Sequence, residues 1–277
     1  MQLILTKGLP ASGKSTHYKI LNDPNLNVIT KDDLRKQFPE MKEKQIIRKR
    51  DEITLKSLAD GKNVCWCDTN YNPIHEARAL EIAKAFNADV IIHEFNETPE
   101  VCIERDLLRE TGRVGSQVIW KMYYEYVFKP DEVEYDVSLP GVILCDIDGT
   151  LAKMKKRRPF EWDKVDQDEM VVHIAQLLNR LSKTGIKIIL LSGRDSVCRD
   201  LTINWLNKYY IQYDELYMRP EGDMRDDREI KEEIYREKIL GNYNVELILD
   251  DRPKMVRHWM KLGLPVVNVQ GHTDFEF

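Results

Sequence analysis

Short apolar runs of the strand type alternate with helical patterns along nearly all of the 277 residues. The first four runs are Gln2–Thr6, Asn27–Thr30, Val64–Cys67 and Val90–Phe95, and each precedes a helical pattern. This alternation predicts an α/β fold with mainly parallel sheets flanked by helices. Hydrophobic residues make up 42% of the chain, which excludes disorder. No apolar run approaches the roughly 18–20 residues of a membrane-spanning helix, so we expect no integral membrane protein.

The alternation is interrupted once, between Lys129 and Gly141, and then starts again. This segment is acidic, is framed by two prolines and has no clear period, which is typical of a linker. A new strand is predicted directly after it, at Val142–Cys145. We therefore predict two domains, residues 1–138 and 139–277, a number that the length allows.

Composition alone does not identify a partner. The 42 basic and 47 acidic residues give a net charge of −5, which favours neither a nucleic acid nor an acidic surface. The five cysteines form no Cys-x-x-Cys pair, and the simplest interpretation is a reduced, cytoplasmic protein without disulfides. Cys65 and Cys67 could bind a metal, but alternation inside a buried strand explains their spacing better.

A phosphate-binding motif follows the first predicted strand. Residues 8–15, Gly-Leu-Pro-Ala-Ser-Gly-Lys-Ser, fit GxxxxGK[ST] and precede a predicted helix, which is the setting of a P-loop. Gly8 and Gly13 allow backbone N–H groups to surround phosphates at the positive end of the helix. Lys14 can reach the β- and γ-phosphates, and Ser15 can offer its hydroxyl to Mg²⁺. The motif therefore predicts a nucleotide site.

Polar residues also follow the second and third predicted strands. Asp32 and Arg35 are three residues apart at a helix start, so both can face the same cleft. A carboxylate there could accept the proton of an attacking hydroxyl, or Asp32 or Asp33 could only cap a helix. Asp68 stands where a Walker-B acid would, or it forms an Asx turn.

Arginines of a later helix predict a lid. Arg105 and Arg109 are four residues apart on one helix face, and Gly112 and Arg113 follow. A mobile basic lid over a triphosphate would have this pattern, and so would a solvated helix face.

The second half begins with a different motif. Asp146-Ile-Asp-Gly-Thr follows a buried strand and resembles the first signature of the haloacid-dehalogenase phosphatase superfamily. Asp146 and Asp148 lie on the same side of the chain, which suits a nucleophile and an acid–base partner. The other signatures follow in order: Ser192, Gly193 and Arg194 for the phosphoryl group, Lys231 for its charge, and Asp250 and Asp251 for Mg²⁺.

The intervals between these signatures are too short for a large cap domain, which predicts an open site suited to a macromolecular substrate. The run Lys153–Arg158 directly after the nucleophile motif holds five basic residues in six. It is either a solvated loop or a grip on a nucleic-acid backbone.

Taken together, the halves resemble the phage-type bifunctional polynucleotide 5′-kinase/3′-phosphatase family. The resemblance spans nearly the whole chain and rests on GLPASGKST, KDDLR, DTNYNP, the lid arginines, DIDGTLAKM, LSGR, DMRDDREIKEE and DDR. It implies a P-loop, adenylate-kinase-like kinase domain followed by a haloacid-dehalogenase-like phosphatase domain without a large cap.

For the kinase half, the resemblance implies transfer of the γ-phosphate of ATP to a 5′-OH of DNA or RNA. Asp32 would be the general base, Lys14 and Arg109 would stabilise the transferred charge, and Arg35 would hold the 3′-phosphate of the acceptor. The supporting residues would be Gly8, Gly13, Ser15 and Thr16 for phosphates and metal, and Asp68 and Thr69 for the acceptor.

For the phosphatase half, it implies removal of 3′-phosphates, with Asp146 as nucleophile and Asp148 as acid. The other implied residues are Arg157, Ser192, Gly193, Arg194, Asp227 and Lys231 around the phosphate, and Asp146, Asp148, Asp250 and Asp251 around Mg²⁺. The products would be ends that a ligase can join. The resemblance also suggests a homotetramer, acting in the host-cell cytoplasm if it is phage-encoded.

Two alternatives from other classes remain. One is a small-molecule kinase fused to a small-molecule phosphatase, which competition between oligonucleotide ends and metabolites would distinguish. The other is a catalytically inactive protein that binds ends, in which Lys14→Ala or Asp146→Asn would leave function intact.

Overall fold

A computed structural model describes residues 1–155 and 157–270, and the chain divides into two compact units after Phe128. The predicted linker Lys129–Gly141 belongs to the second unit, where its backbone is held by hydrogen bonds. Asp131 N donates to Lys261 O (2.8 Å), and Asn244 Nδ2 donates to Asp136 O (2.6 Å). The observed division therefore lies ten residues before the division predicted at 138, because this acidic segment packs on the second unit.

The first unit is a parallel sheet with the strand order β2-β3-β1-β4. Leu3 and Leu5 of the inner strand β1 are fully buried. The strands are β1 (Gln2–Gly8), β2 (Leu26–Ile29), β3 (Asn63–Trp66) and β4 (Asp89–Phe95). The α-helices are α1 (Lys14–Leu21), α2 (Lys31–Gln37), α3 (Glu43–Ala59), α4 (Pro73–Ala85), α5 (Pro99–Leu107) and α6 (Ser116–Met122), and α6 continues as the π-helix Tyr123–Val127.

Side-chain caps fix where several of these helices begin. Asn72 accepts from Ile74 N (3.1 Å) and Thr98 accepts from Val101 N (3.4 Å), and a proline follows each at the first helical position. Ser116 has the composition of a helix cap, which predicts that it precedes α6, but this prediction is wrong. Ser116 is already helical, and Gly115, with φ 85°, precedes it without a side-chain cap.

The second unit is a parallel sheet with the strand order β11-β10-β5-β8-β9, and buried apolar clusters cover both of its faces. The strands of the sheet are β5 (Gly141–Asp146), β8 (Lys187–Asp195), β9 (Glu215–Arg219), β10 (Asn244–Asp250) and β11 (Val266–Asn268). The α-helices are α7 (Val172–Leu181), α8 (Arg199–Lys208), α9 (Asp227–Ile234) and α10 (Pro253–Lys261), and α9 continues as the π-helix Tyr235–Ile239.

Between β5 and α7 the described residues form only small elements. The two-residue strands β6 (Ala152–Lys153) and β7 (Glu169–Met170) pair antiparallel, and Trp162–Gln167 is a 3₁₀-helix. This confirms the prediction of a haloacid-dehalogenase-like fold without a large cap.

The two parallel sheets with flanking helices confirm the predicted α/β class. In such sheets, ligands bind at the carboxyl ends of the strands. The polar motifs of each unit follow those ends, so the fold gives each unit its own candidate site. Among the described helices, none combines the length and apolar character needed to cross a membrane. All five cysteines are buried and unpaired.

Candidate active sites

The P-loop lies between β1 and α1 in a conformation that requires its glycines. Gly13, which precedes α1, has φ 96°, a left-handed value that other residues rarely adopt. At Gly8, a Cβ atom would lie 2.7 Å from Ser12 Oγ and 2.9 Å from Phe95 Cβ. Both positions therefore exclude a side chain: Gly13 because of its backbone conformation, and Gly8 because neighbouring atoms leave no room for a Cβ atom.

Lys14 is buried with its ammonium turned into this loop. Its Nζ donates to Leu9 O (2.6 Å), Gly8 O (2.9 Å) and Ser12 Oγ (3.2 Å). Burial lowers the pKa of Lys14 to about 8. The loop thus holds a desolvated amine that gains stabilisation from any anion placed beside it.

A cavity of about 1020 Å³ lies over the P-loop and holds most of the kinase residues predicted from the sequence. Cys67 and Phe95 are among the other residues that face it, and Cys67 Sγ lies 3.8 Å from Ser15 Oγ. Gly8 lies beside the cavity and takes part through its carbonyl. The predicted residues that line it are Gly13, Lys14, Ser15, Thr16, Asp32, Arg35, Asp68, Thr69, Arg105 and Arg109.

Asp32 and Arg35 lie side by side at this cavity, as their spacing predicted. Arg35 Nη1 donates to Asp32 Oδ1 (2.5 Å), and Arg35 Nη2 donates to Glu43 Oε2 (3.0 Å). The side chain of Asp32 is 80% exposed, so it can accept a proton from a group in the cleft. Thr30, not Asp32 or Asp33, provides the side-chain cap of α2, since its Oγ1 accepts from Asp33 N (3.0 Å).

Asp68 follows β3 and is more enclosed than Asp32. Its Oδ1 accepts from Lys31 N (3.0 Å), whereas its buried Oδ2 has no protein partner. Burial raises the pKa of this carboxyl. An unsatisfied buried carboxylate oxygen at the edge of the cavity is ready to accept a hydrogen bond from a bound molecule.

The lid arginines differ in where they point. Arg105 Nη1 lies 3.7 Å from where a Cβ atom of Gly13 would be, so it reaches the P-loop, and its Nη2 donates to Glu97 Oε1 (3.0 Å). Arg109 Nη1 donates to Asp106 Oδ1 (3.2 Å). Arg113 donates to the carbonyl of Arg109 (2.6 Å). Two of the three predicted arginines therefore line the cavity, and Arg105 is in contact with the loop.

In the second unit, a buried lysine joins the carboxylates at the ends of β5 and β10. Lys231 Nζ lies 2.7 Å from Asp146 Oδ1, 3.0 Å from Asp250 Oδ2 and 3.5 Å from Asp227 Oδ2. Burial alone would lower the pKa of the Lys231 ammonium, but these three carboxylates raise it well above its ordinary value. The lysine therefore stays charged in the centre of the site.

Beside this lysine, oxygen ligands for a cation come together. Carboxylate oxygens of Asp146, Asp250 and Asp251 lie within 4.8 Å of one another, which fits a hard divalent ion. A Cβ on Gly149, whose φ is 93°, would lie 2.1 Å from Asp251 Oδ2, so the glycine leaves room for that carboxylate. The Asp148 side chain lies outside the cluster, because its carboxylate binds arginines.

Asp148 is held by two buried guanidinium groups. Arg157 Nη2 lies 2.8 Å and Arg194 Nη2 lies 2.7 Å from Asp148 Oδ1. Both nitrogens also lie 2.8 Å from Oδ2 of Asp168, which is almost fully buried. The four charges form a closed network that fixes the carboxylate of Asp148 and both arginine forks.

The remaining phosphatase residues lie around the end of β8. Ser192 is fully buried, and its Oγ accepts from Arg194 N (3.2 Å). A Cβ on Gly193 would lie 2.3 Å from Asp227 Oδ1, so the loop passes directly over that carboxylate. Arg219 Nε donates to Gly193 O (2.9 Å). The structure thus brings together the predicted residues of this half.

The basic run after the nucleophile does not form one surface. Arg157 turns inward to Asp148, and Lys155 pairs with Glu169 (2.6 Å). Lys153 lies on β6 and Arg158 is exposed, while Lys156 lies outside the described residues. Its predicted contact with a nucleic-acid backbone stays a prediction.

Sequence reasoning missed several residues of both sites. Asp168 is the shared counter-ion of Arg157 and Arg194, and Glu43 and Glu97 pair with Arg35 and Arg105. None of these acidic residues lies in a recognisable motif, so no sequence signal identified them.

Models of known families match parts of both units. Residues 140–275 match the model of the polynucleotide kinase PNKP phosphatase domain, and residues 3–123 match an AAA domain. The phosphatase match includes the end of β5, both arginines and the carboxylates after β10, whereas the AAA match includes the P-loop and the lid arginines.

Similar proteins cover nearly the whole chain. A putative bifunctional polynucleotide kinase/RNA ligase of Autographa californica nuclear polyhedrosis virus is 31% identical over 293 residues, covering 96% of this chain. This chain spans only 42% of that viral relative. A chain in a structure of a Pnkp1/Rnl/Hen1 complex is 30% identical, with a TM-score of 0.50 and coverage of 97% of this chain and 96% of that one. A chain in a second structure, described as the Pnkp1/Rnl/Hen1 RNA repair complex, is 31% identical, with a TM-score of 0.50. That match covers 97% of this chain and 95% of the other.

Proposed function

Because this chain belongs to the polynucleotide kinase/phosphatase family, we propose that it is a bifunctional enzyme that heals nucleic-acid ends. One unit would transfer the γ-phosphate of ATP to a 5′-OH, and the other would hydrolyse a 3′-phosphate. The observation that carries this proposal is the pair of complete phosphoryl sites, each at the carboxyl edge of its own sheet. Strands of DNA or RNA are the substrates, and RNA is the first to test, because a similar chain belongs to an RNA repair complex.

In the kinase unit, ATP would enter the cavity over the P-loop. Lys14 would exchange its carbonyl contacts at Gly8 and Leu9 for the β- and γ-phosphates. Arg105 already reaches the loop, and Arg109 lines the same cavity. Closure of these arginines would neutralise the charge on the transferring group and exclude water.

On the acceptor side, Asp32 would take the proton of the 5′-OH as its oxygen attacks the γ-phosphorus. The bond from the γ-phosphorus to the β–γ bridging oxygen breaks, and ADP leaves. Arg35 orients Asp32 at 2.5 Å and would also bind a phosphate of the acceptor strand. Asp68 and Thr69 line the same side of the cavity and would shape the acceptor site.

In the phosphatase unit, a carboxylate oxygen of Asp146 would attack the 3′-phosphorus and form an aspartyl-phosphate. The bond from phosphorus to the 3′ oxygen breaks, and Asp148 supplies the proton for that oxygen. Water then attacks the phosphorus and Asp148 takes its proton. The bond from phosphorus to the Asp146 oxygen breaks, which restores the Asp146 carboxylate and releases inorganic phosphate. Lys231 and Ser192 would stabilise the charge on the phosphoryl oxygens, and the two buried arginines would hold Asp148 in place.

A divalent cation, which we propose is Mg²⁺, would be held by Ser15 in one unit and by Asp146, Asp250 and Asp251 in the other. When bound, it neutralises phosphoryl oxygens and orients them for displacement. The donor sets fit it, because all are hard oxygen ligands. A homotetramer, a phage origin and action in the host cytoplasm are further proposals that follow from the family resemblance.

The test is to incubate the protein with ATP labelled at the γ-phosphate and a strand that carries a 5′-OH and a 3′-phosphate, as DNA and as RNA. We expect label at the 5′ end and release of inorganic phosphate from the 3′ end, both dependent on a divalent cation. Addition of unlabelled small-molecule alcohols and phosphate esters in excess should not suppress either reaction.

Failure to phosphorylate any 5′-OH strand at high enzyme concentration would remove the kinase assignment. Full activity in excess chelator would contradict the proposed cation sites in both units.

A further inference from the structure

An exposed aromatic side chain lies beside the phosphatase site without a role in the proposed chemistry. Phe160 is 77% exposed, although a phenylalanine in water forfeits most of the free energy that burial would provide. It follows Arg157, Arg158 and Pro159, so one proline separates this aromatic ring from two consecutive basic residues. Aromatic rings interleaved with basic residues are typical of surfaces that bind single strands.

The turn that carries Phe160 is held in place on both sides. Arg158 N donates to Glu161 Oε2 (2.7 Å), and Glu161 N donates back to Arg158 O (3.1 Å). The Phe160 ring meets the Trp162 ring edge-on, with centroids 5.9 Å apart and planes at 87°. Trp162 is itself half-buried against the core of the unit. The contact with Trp162 therefore restricts the Phe160 ring while the ring stays exposed to solvent. This restriction lowers the conformational entropy lost when a partner stacks on the ring.

The same turn is joined directly to the site. Arg157 Nη1 donates to Pro159 O (3.1 Å), while Nη2 of the same guanidinium lies 2.8 Å from Asp148 Oδ1. Phe160 begins one peptide bond after that carbonyl. A nucleotide whose 3′-phosphate is held near Arg157 would therefore bring its sugar and base next to this ring.

We infer that Phe160 is a stacking platform for the nucleobase of the nucleotide that bears the 3′-phosphate, and this inference rests on the proposed function. The site takes any of the bases, because each has a π face and no side-chain amide or carboxylate is required for stacking. Arg158, beside the ring, adds a positive charge toward the strand. The phosphatase thereby distinguishes a polynucleotide end from a phosphate ester without a base.

The test is a cycle in which the ring and the base are each removed. Phosphate release is measured for the unsubstituted protein and for Phe160→Ala on two strands, one ending in a normal 3′-phosphate nucleotide and one whose terminal nucleotide lacks its base. Phe160→Ala should lower kcat/KM on the first strand by about five-fold or more, mainly through KM, and by far less on the second. Phe160→Trp should retain the activity on the first strand.

Tyr210→Ala is the matched control, since Tyr210 is an 80% exposed aromatic residue. It precedes β9 and therefore lies toward the amino ends of the strands, whereas the candidate site lies at their carboxyl ends. This variant should release phosphate from both strands at the rate of the unsubstituted protein. An equal loss for Phe160→Ala on both strands, or no loss on either, would overturn the inference and point to a structural role or a protein partner for the ring. If the unsubstituted protein releases phosphate from neither strand, the proposed function fails first.

Discussion

The two sites that we propose for phosphoryl groups differ in how far their charged residues are organised before a substrate binds. In the phosphatase unit, Asp146, Lys231 and Arg194 are buried and already paired with one another or with neighbouring charges. Of the kinase-unit residues Lys14, Asp32 and Arg35, Lys14 is buried, whereas the side chains of Asp32 and Arg35 are 80% and 45% exposed. The phosphatase charges are therefore fixed before substrate arrives, whereas those of the kinase lie around an open cavity.

This difference follows from what each half must bind. The phosphatase holds a single phosphoryl group, which a compact cluster of buried donors can surround. The proposed kinase must admit two substrates and then exclude water. Arg35 and Arg105 line a cavity of about 1020 Å³ and pair with Glu43 and Glu97, whose side chains are partly exposed. Variants should consequently affect stability in the phosphatase unit and mainly activity in the kinase unit.

Among the variants that test this comparison, Lys231→Met is expected to cause the largest loss of stability and activity. It leaves Asp146 and Asp250 buried without their shared cation, which should cost about 3–5 kcal/mol of unfolding free energy and abolish phosphate release. The free energy is measured by native-state hydrogen exchange at the amides of β5 and β10. Kinase activity should remain.

Lys14→Met is the matched variant in the other unit. It should abolish phosphoryl transfer but cost roughly 1–3 kcal/mol, because only uncharged acceptors lose a donor. Equal destabilisation by the two variants would show that the sites do not differ in the way described.

The pH dependence of the two activities should also separate them. Since burial lowers the pKa of Lys14 to about 8, the free kinase loses this positive charge above pH 8, and kcat/KM for ATP should fall about ten-fold per pH unit. Between pH 8 and the ordinary value of 10.5, the unfolded chain binds more protons at this residue than the folded chain. The Lys14 contribution to stability therefore rises with pH while activity falls.

Lys231 should show no such loss, because its neighbouring carboxylates raise its pKa well above the ordinary value. Pre-steady-state and steady-state rates of both reactions, measured across pH 7–10 on the same preparation, test this. A parallel decline of phosphate release, or a kinase rate that is flat to pH 10, would contradict the assignment of these pKa directions.

Thr30→Ala should have the smallest effect and be confined to the kinase unit. Thr30 Oγ1 accepts from Asp33 N at the start of α2, and loss of such a cap costs about 0.5–2 kcal/mol. We expect faster hydrogen exchange in α2 and a modest fall in 5′ phosphorylation, because Asp32 stands on this turn. Thr30→Ser should restore both, and a change in phosphate release would argue against independent units.

The sequence predicted the parts of each site that lie in short motifs. Lys14 and Asp146 could be located because the chemistry depends on residues next to a strand end, where the chain order fixes the geometry. Asp168 could not, because it is one of several acidic residues in its segment, and only the fold brings it to the two arginines.

Boundaries were harder to predict for a physical reason. The acidic segment after Lys129 lacks periodicity, yet its backbone is pinned by Lys261 and Asn244, which lie more than a hundred residues away. Ser116 has the composition of a helix cap, but it is the first helical residue, and Gly115, with φ 85°, occupies the position before α6. Such outcomes depend on tertiary contacts that local composition does not contain.

The most direct test of the central claim, that one chain carries two independent end-healing sites, compares Asp32→Ala with Asp146→Asn on a strand bearing a 5′-OH and a 3′-phosphate. Asp32→Ala should lower 5′ phosphorylation by at least about 100-fold and spare 3′-phosphate release. Asp146→Asn should do the reverse, because its amide cannot form the acyl phosphate. Loss of both activities in either folded variant would contradict the claim.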